Sequence, residues 1–189
     1  LAENPGATIV GEVKCSTTLY DDIAARGGRG IMWKAGHSLI KAKMKEEGAL
    51  LAGEMSGHIF FGHRWLGFDD GIYSSARLLE LASRTDRPVS TLLSDVPRTF
   101  ATPELRVDCP EDVKFELVRR AQEWFASRYE AVTVDGVRVV FPDGWGLVRA
   151  SNTQPLLVLR FEARTPERLA EIQRLVSDKV DELKRELGA

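Results

Sequence analysis

From Thr8 to about residue 98, short apolar runs alternate with stretches in which apolar residues recur every three or four positions. Thr8-Ile9-Val10-Gly11-Glu12-Val13 reads as a strand, and Leu19, Tyr20, Ile23 and Ala24 mark a helix closed by Gly27-Gly28, since glycine tolerates a left-handed helix end. Ile31-Met32-Trp33 is a second strand, followed by a helix through Leu39, Ile40 and Met44, and Ala49 to Ala52 is a third. A polar loop and a short Ile59-Phe60-Phe61 run lead to a helix carrying Ile72, Ala76, Leu79 and Ala82. Alternation of strands and helices builds a mostly parallel sheet covered by helices, so residues 1–98 are expected to form an α/β domain.

After a connector at residues 99–103 the rhythm changes. Leu105 to Val107 reads as a strand, and Pro110-Glu111-Asp112 as a helix start with acids in the first turn, ahead of Leu117, Val118, Ala121, Trp124 and Phe125. Val132 to Val134 and Val137 to Phe141 flank Asp135-Gly136, the pattern of a hairpin with a two-residue turn. Trp145 to Val148 and Leu156 to Ala163 are further strands, the last with Leu157, Leu159, Phe161 and Ala163 on one face. Thr165-Pro166-Glu167 starts a closing helix with Leu169, Ile172, Val176, Val180 and Leu183 down one side. Residues 104–189 are therefore expected to be an α+β domain, an antiparallel sheet packed by two helices.

Composition narrows the class of protein. The 189 residues are 43% hydrophobic and 29% charged with a formal net charge of -2, which suits a soluble globular protein and speaks against a nucleic-acid or anionic-membrane partner. No apolar run approaches the roughly 20 residues of a membrane span. The start, Leu1 to Gly6, has neither the regions of a secretory signal nor a methionine, so Leu1 is expected to be internal to a longer polypeptide. Cys15 and Cys109 alone imply no disulfide framework; two reduced thiols in a cytoplasmic protein are expected.

Candidate chemistry lies at strand ends. In an open α/β sheet, ligands bind beyond the carboxyl ends of the strands. Lys14 ends the first strand, Lys34 to Ser38 (with His37) follows the second, and Gly53-Glu54-Met55-Ser56-Gly57-His58 follows the third. Each residue taken singly also fits a local structural duty. Together they place a carboxylate, a hydroxyl, two histidines and two lysines on one rim, and a carboxylate two residues from a hydroxyl can grip adjacent sugar hydroxyls. In the second domain, Arg149-Ala150-Ser151-Asn152-Thr153 lies between two strands and offers a guanidinium, hydroxyls and turn amides suited to a phosphate; an ordinary Ser/Asn/Thr turn is the alternative. His58 and His63 do not have the spacing of a standard metal site, Asp69-Asp70 reads as a solvated loop or helix cap, and Gly27 to Gly30 lacks the Gly-Lys-Ser/Thr of a phosphate-cradling loop.

Lys14-Cys15, Gly36-His37-Ser38, Glu54-Met55-Ser56-Gly57-His58 and Arg149-Ala150-Ser151-Asn152-Thr153, in this order, resemble the α-D-phosphohexomutases, and among them the bacterial phosphomannomutase/phosphoglucomutase branch. The resemblance covers essentially the whole chain, as the third and fourth of four family domains. It implies that Glu54 and Ser56 read the sugar's 3- and 4-hydroxyls, which are alike in glucose and mannose, and that Lys14, His37 and His58 line the same cleft. It implies that His58 or Lys14 assists proton transfer, and that Arg149, Ser151, Asn152 and Thr153 hold the phosphate that is not reacting. The implied ligands are mannose and glucose 1- and 6-phosphates and the hexose 1,6-bisphosphate intermediate.

The family's phosphorylated serine and its Asp-x-Asp-x-Asp loop for Mg²⁺ belong to the first and second domains; no acidic residue here has another two positions away. Mg²⁺ is thus expected on a missing N-terminal half, and this polypeptide alone is expected to be inactive. Two other readings stand beside this one: a free-standing phosphosugar-binding module, and a structural protein whose polar loops are merely solvated.

Overall fold

Strand β1 (Thr8–Glu12) lies in the middle of the first sheet, hydrogen-bonded on one side to β2 (Arg29–Trp33) and on the other to β3 (Leu51–Gly53), both parallel to it. The third strand thus starts two residues later than the run from Ala49 suggests, and the Ile59–Phe61 run is a strand too, β4, antiparallel to β3 at the sheet edge. Helix α1 (Thr17–Ala25) connects β1 to β2, and α2 (His37–Glu47) connects β2 to β3. Successive side chains of a strand point to opposite faces. Val10 packs in a core with Ile40 and Met44 of α2, whereas a Cβ at Gly11 would meet Tyr20 and Leu19 of α1. The two helices therefore cover opposite faces, and β1 is where the chain reverses its winding direction. The computed structural model that shows this describes residues 1–189, which divide into two units, Leu1–Pro97 and Arg98–Ala189.

Helix α3 (Gly71–Ser83) departs from expectation. None of its residues is buried, and Ile72 and Leu79 are 86% and 69% exposed. It is held instead by its polar and aromatic side: Tyr73 stacks on Trp65 at 4.4 Å and meets Phe61 edge-on at 5.4 Å, while Glu80 pairs with Arg64, Arg77 and Arg84. An apolar 3.6-residue stripe is a covering face only when something lies opposite it.

In the second unit, β10 (Leu156–Ala163) is the spine of an antiparallel sheet, flanked on one side by β5 (Phe100–Ala101) and β6 (Leu105–Asp108) and on the other by β9 (Gly144–Ala150), β8 (Val137–Phe141) and β7 (Glu130–Val132) in that order. Its β5 (Phe100–Ala101) falls in the segment read from sequence as a connector. Helices α4 (Lys114–Ala126) and α5 (Pro166–Leu187) pack on the face carrying Leu157, Leu159 and Phe161. Thr165 caps α5 by accepting from Arg168 N, and Ile172, Val176, Val180 and Leu183 are buried, each contributing about 1.5–3 kcal/mol. Helix α4 begins later than its acidic signal suggests, because Pro110–Val113 forms a turn.

Two expectations near the second candidate site need correction. β9 runs Gly144–Ala150, so Arg149 belongs to a strand and not to the loop after it. The hairpin between β7 (Glu130–Val132) and β8 (Val137–Phe141) pairs Val132 with Arg138, which leaves a longer loop than the two-residue turn. Gly136 in that loop has φ +74, and a Cβ there would lie 2.2 Å from the Val148 carbonyl oxygen of β9. Close backbone approach, rather than turn type, fixes the glycine.

Candidate functional site

Because β1, β2 and β3 are parallel, their carboxyl ends fall on one edge, and the segments carrying Lys14, His37, and Glu54 with Ser56 leave the sheet there. His58 immediately precedes β4, whose Ile59 pairs with Gly53, so it stands at that edge as well. His37 is the first residue of α2 and is exposed, as are Ser56 and His58; Lys14 is largely enclosed. Gly36, at φ +126, lets the chain turn from β2 into α2.

Two carboxylates stitch this edge. Glu54 Oε1 accepts from Gly36 N at 2.8 Å, and the loop closes on itself through Glu54 N to His58 O and Gly57 N to Glu54 O, both 3.0 Å. Glu12, the last residue of β1, is fully buried; its oxygens accept from Lys14 N at 3.0 Å and Met55 N at 3.1 Å, with Lys14 Nζ 3.9 Å away. Burial pushes the Glu12 carboxyl above its ordinary range; the Lys14 charge and the two amides pull against that, and the Glu54 charge adds to it. Sequence reading passed over Glu12 as one position of an apolar strand. A carboxylate closing such a strand, two residues before a lysine, was the available signal.

His58 Nδ1 lies 2.6 Å from Asp69 Oδ2. Asp70 is the helix cap that the Asp69-Asp70 pair suggested, accepting from Tyr73 N at 2.9 Å, but Asp69 is a histidine partner. A carboxylate on one ring nitrogen fixes which nitrogen carries the proton and leaves the other to face a reacting group.

The second candidate site belongs to the other unit. Arg149 Nε donates to Asp135 Oδ2 at 3.0 Å, with side-chain exposures of 8% and 15%, so the residue read as a turn position is the arginine's counter-ion. Ser151 is buried and its Oγ accepts from Thr153 N at 3.3 Å and Gln154 N at 3.2 Å, while Asn152 and Thr153 are exposed. The loop therefore has the Ser/Thr turn of the simpler reading, built beside a guanidinium. Across the chain, no three His, Cys, Asp or Glu side chains converge to hold a metal ion, and no helix is long and apolar enough to cross a membrane. Cys15 and Cys109 are buried and unlinked.

Comparison with known proteins covers both units. Residues 1–100 match the profile "Phosphoglucomutase/phosphomannomutase, alpha/beta/alpha domain III", and residues 104–179 match "Phosphoglucomutase/phosphomannomutase, C-terminal domain". A phosphomannomutase/phosphoglucomutase of Pseudomonas aeruginosa is 55% identical over 176 residues, covering 92% of this chain and 38% of the relative. A phosphoglucomutase of Neisseria gonorrhoeae is 51% identical over 178 residues, with 92% and 38% covered. Among solved structures, a phosphoglucomutase/phosphomannomutase family protein of Burkholderia thailandensis superposes with a TM-score of 0.88 at 47% identity, over 97% of this chain and 39% of that one. The chain thus spans less than half the length of these relatives. On the evidence of both domain matches, it belongs to the phosphoglucomutase/phosphomannomutase family.

Proposed function

We propose that this chain is the sugar- and phosphate-reading part of a phosphohexomutase that interconverts hexose 1-phosphate and hexose 6-phosphate, with mannose and glucose as the sugars, through a bisphosphorylated intermediate. The observation that carries the reading is the gathering of Lys14, His37, Glu54, Ser56 and His58 on one sheet edge, in a member of this family. Glu54 is held in place through Oε1, which leaves its other oxygen to accept from a sugar hydroxyl while Ser56 serves the neighbouring one. His58, oriented by Asp69, moves a proton at the reacting hydroxyl, and Lys14 balances phosphate charge or shares that proton. Arg149 and the Ser151, Asn152 and Thr153 loop take the other phosphate.

No three His, Cys, Asp or Glu side chains of this chain gather as a metal site, and no step here runs through Mg²⁺. The metal and the phosphoserine are assigned to the remainder of a longer, cytoplasmic enzyme, and the chain alone is expected to bind but not to turn over.

Titration of the 189-residue chain with glucose 1-phosphate and mannose 1-phosphate, followed by backbone amide shifts, tests this reading. Shifts are expected at Lys14, Gly36 to Ser38, Glu54 to His58 and Ser151 to Gln154. Silence at all of these with saturating sugar phosphate would remove the phosphosugar reading. Isomerisation by the pure chain would remove the claim of inactivity.

A further inference from the structure

Lys114, the first residue of α4, is a lysine with no exposed side-chain surface. Its Nζ donates to Ser151 O at 2.6 Å, to Gln154 O at 3.0 Å and to Glu111 Oε2 at 2.7 Å. A lysine ammonium has three donors, and all three are used. Two of them fasten the two ends of the Ser151–Gln154 loop; between those ends the Ser151 hydroxyl gathers the amides of Thr153 and Gln154. Carbonyl oxygens repel an incoming oxyanion, and the two at the loop's ends are occupied by a cation instead of facing a ligand. The charge partner, Glu111, is 65% exposed and is presented by the turn that starts at Pro110. A buried cation needs such partners to be tolerated. Here they belong to the loop read above as the phosphate site.

We propose that Lys114 is the positioning residue of the phosphate-reading loop: it fixes the Ser151–Gln154 backbone from below and adds positive charge beneath the anion, which Glu111 tempers. This rests on the phosphate reading of that loop under the proposed function.

The experiment compares the 189-residue wild-type chain with K114M and E111Q, measuring amide exchange without ligand and the affinity for inorganic phosphate and glucose 1-phosphate. In K114M the Thr153 and Gln154 amides are expected to exchange at least about tenfold faster and phosphate affinity to fall at least about tenfold, with α5 still protected. E111Q keeps the lysine and its carbonyl partners, so it serves even if K114M does not fold. It is expected to tighten phosphate binding about two- to threefold at low salt, with the gain vanishing at high salt. That salt-sensitive gain requires phosphate bound within about a Debye length (about 10 Å at 0.1 M salt) of Glu111, and so at this loop. Unchanged or weaker binding by E111Q, or a K114M chain with wild-type affinity and loop exchange, overturns the proposal alone. A wild-type chain with a protected loop and no affinity for either phosphate overturns it together with the phosphate reading.

Discussion

Glu54 accepts the Gly36 amide at 2.8 Å, so the loop that follows β3 is tied to the turn that opens α2. Glu54→Gln keeps an oxygen for that amide and loses the charge, whereas Glu54→Ala loses both. Glucose 1-phosphate affinity is expected to fall at least about tenfold in each, as when a hydrogen bond to a charged group is removed. Faster exchange of the Gly36 amide is expected in Glu54→Ala only. Equal exchange in the two variants would dissolve the tie.

The buried Glu12 makes the first unit sensitive to pH. Its folded-state pKa is raised by burial, so the folded chain holds this proton at a pH where the unfolded chain has released it. The sign follows from linkage: stability associated with this group is highest below the unfolded carboxylate value and falls as pH rises through the raised value. Glu12→Gln removes the titration, so wild type is expected to lose stability relative to the variant as pH rises above the ordinary carboxylate value. Parallel pH profiles from denaturant melts would count against it.

Asp69→Asn weakens the ring contact at His58 without emptying the position. The pair is partly exposed, at 51% and 39%, so the stability change is expected to stay within about 1 kcal/mol. The readout is spectroscopic: the downfield Nδ1 proton of His58, protected by the 2.6 Å contact, should be lost. A retained signal would mean another partner holds the ring.

Gly136→Ala is expected to cost about 3 kcal/mol or more, because its Cβ would fall 2.2 Å from a carbonyl of β9 at a φ of +74, where side chains are strained. Neighbouring Asp135 would move with it, so phosphate affinity should drop beyond the stability loss. A melt within about 0.5 kcal/mol of wild type would show that the loop swings clear.

What the sequence made legible was local. The cap, proline and acid at Thr165-Pro166-Glu167 and the period of Ile172 to Leu183 are set by nearest-neighbour chemistry, and strand-helix alternation, which builds a parallel sheet, carries Lys14, Gly36 and Glu54 to one edge. Legibility failed where a distant partner decides the outcome. Asp135 reads as a turn residue until Arg149 is placed beside it, and nothing around Lys114 in the sequence marks it, because the loop that closes over it lies 37 residues later. Glu12 is hidden for the same reason, since its second amide comes from Met55. Ile72 and Leu79 fail in the opposite sense: their stripe is regular, but nothing in this unit lies against it.

The two units do not own equal shares of apolar interior. The second is knit around a core that runs from Cys109 to Leu183 and engages both of its helices, whereas the first has a small cluster around Val10, Ile40 and Phe60 and leaves α3 outside it. Unequal cores melt at unequal temperatures. On warming, the edge proposed for the sugar hydroxyls is expected to soften while the loop proposed for the phosphate is still rigid, so hydroxyl recognition is lost before phosphate recognition.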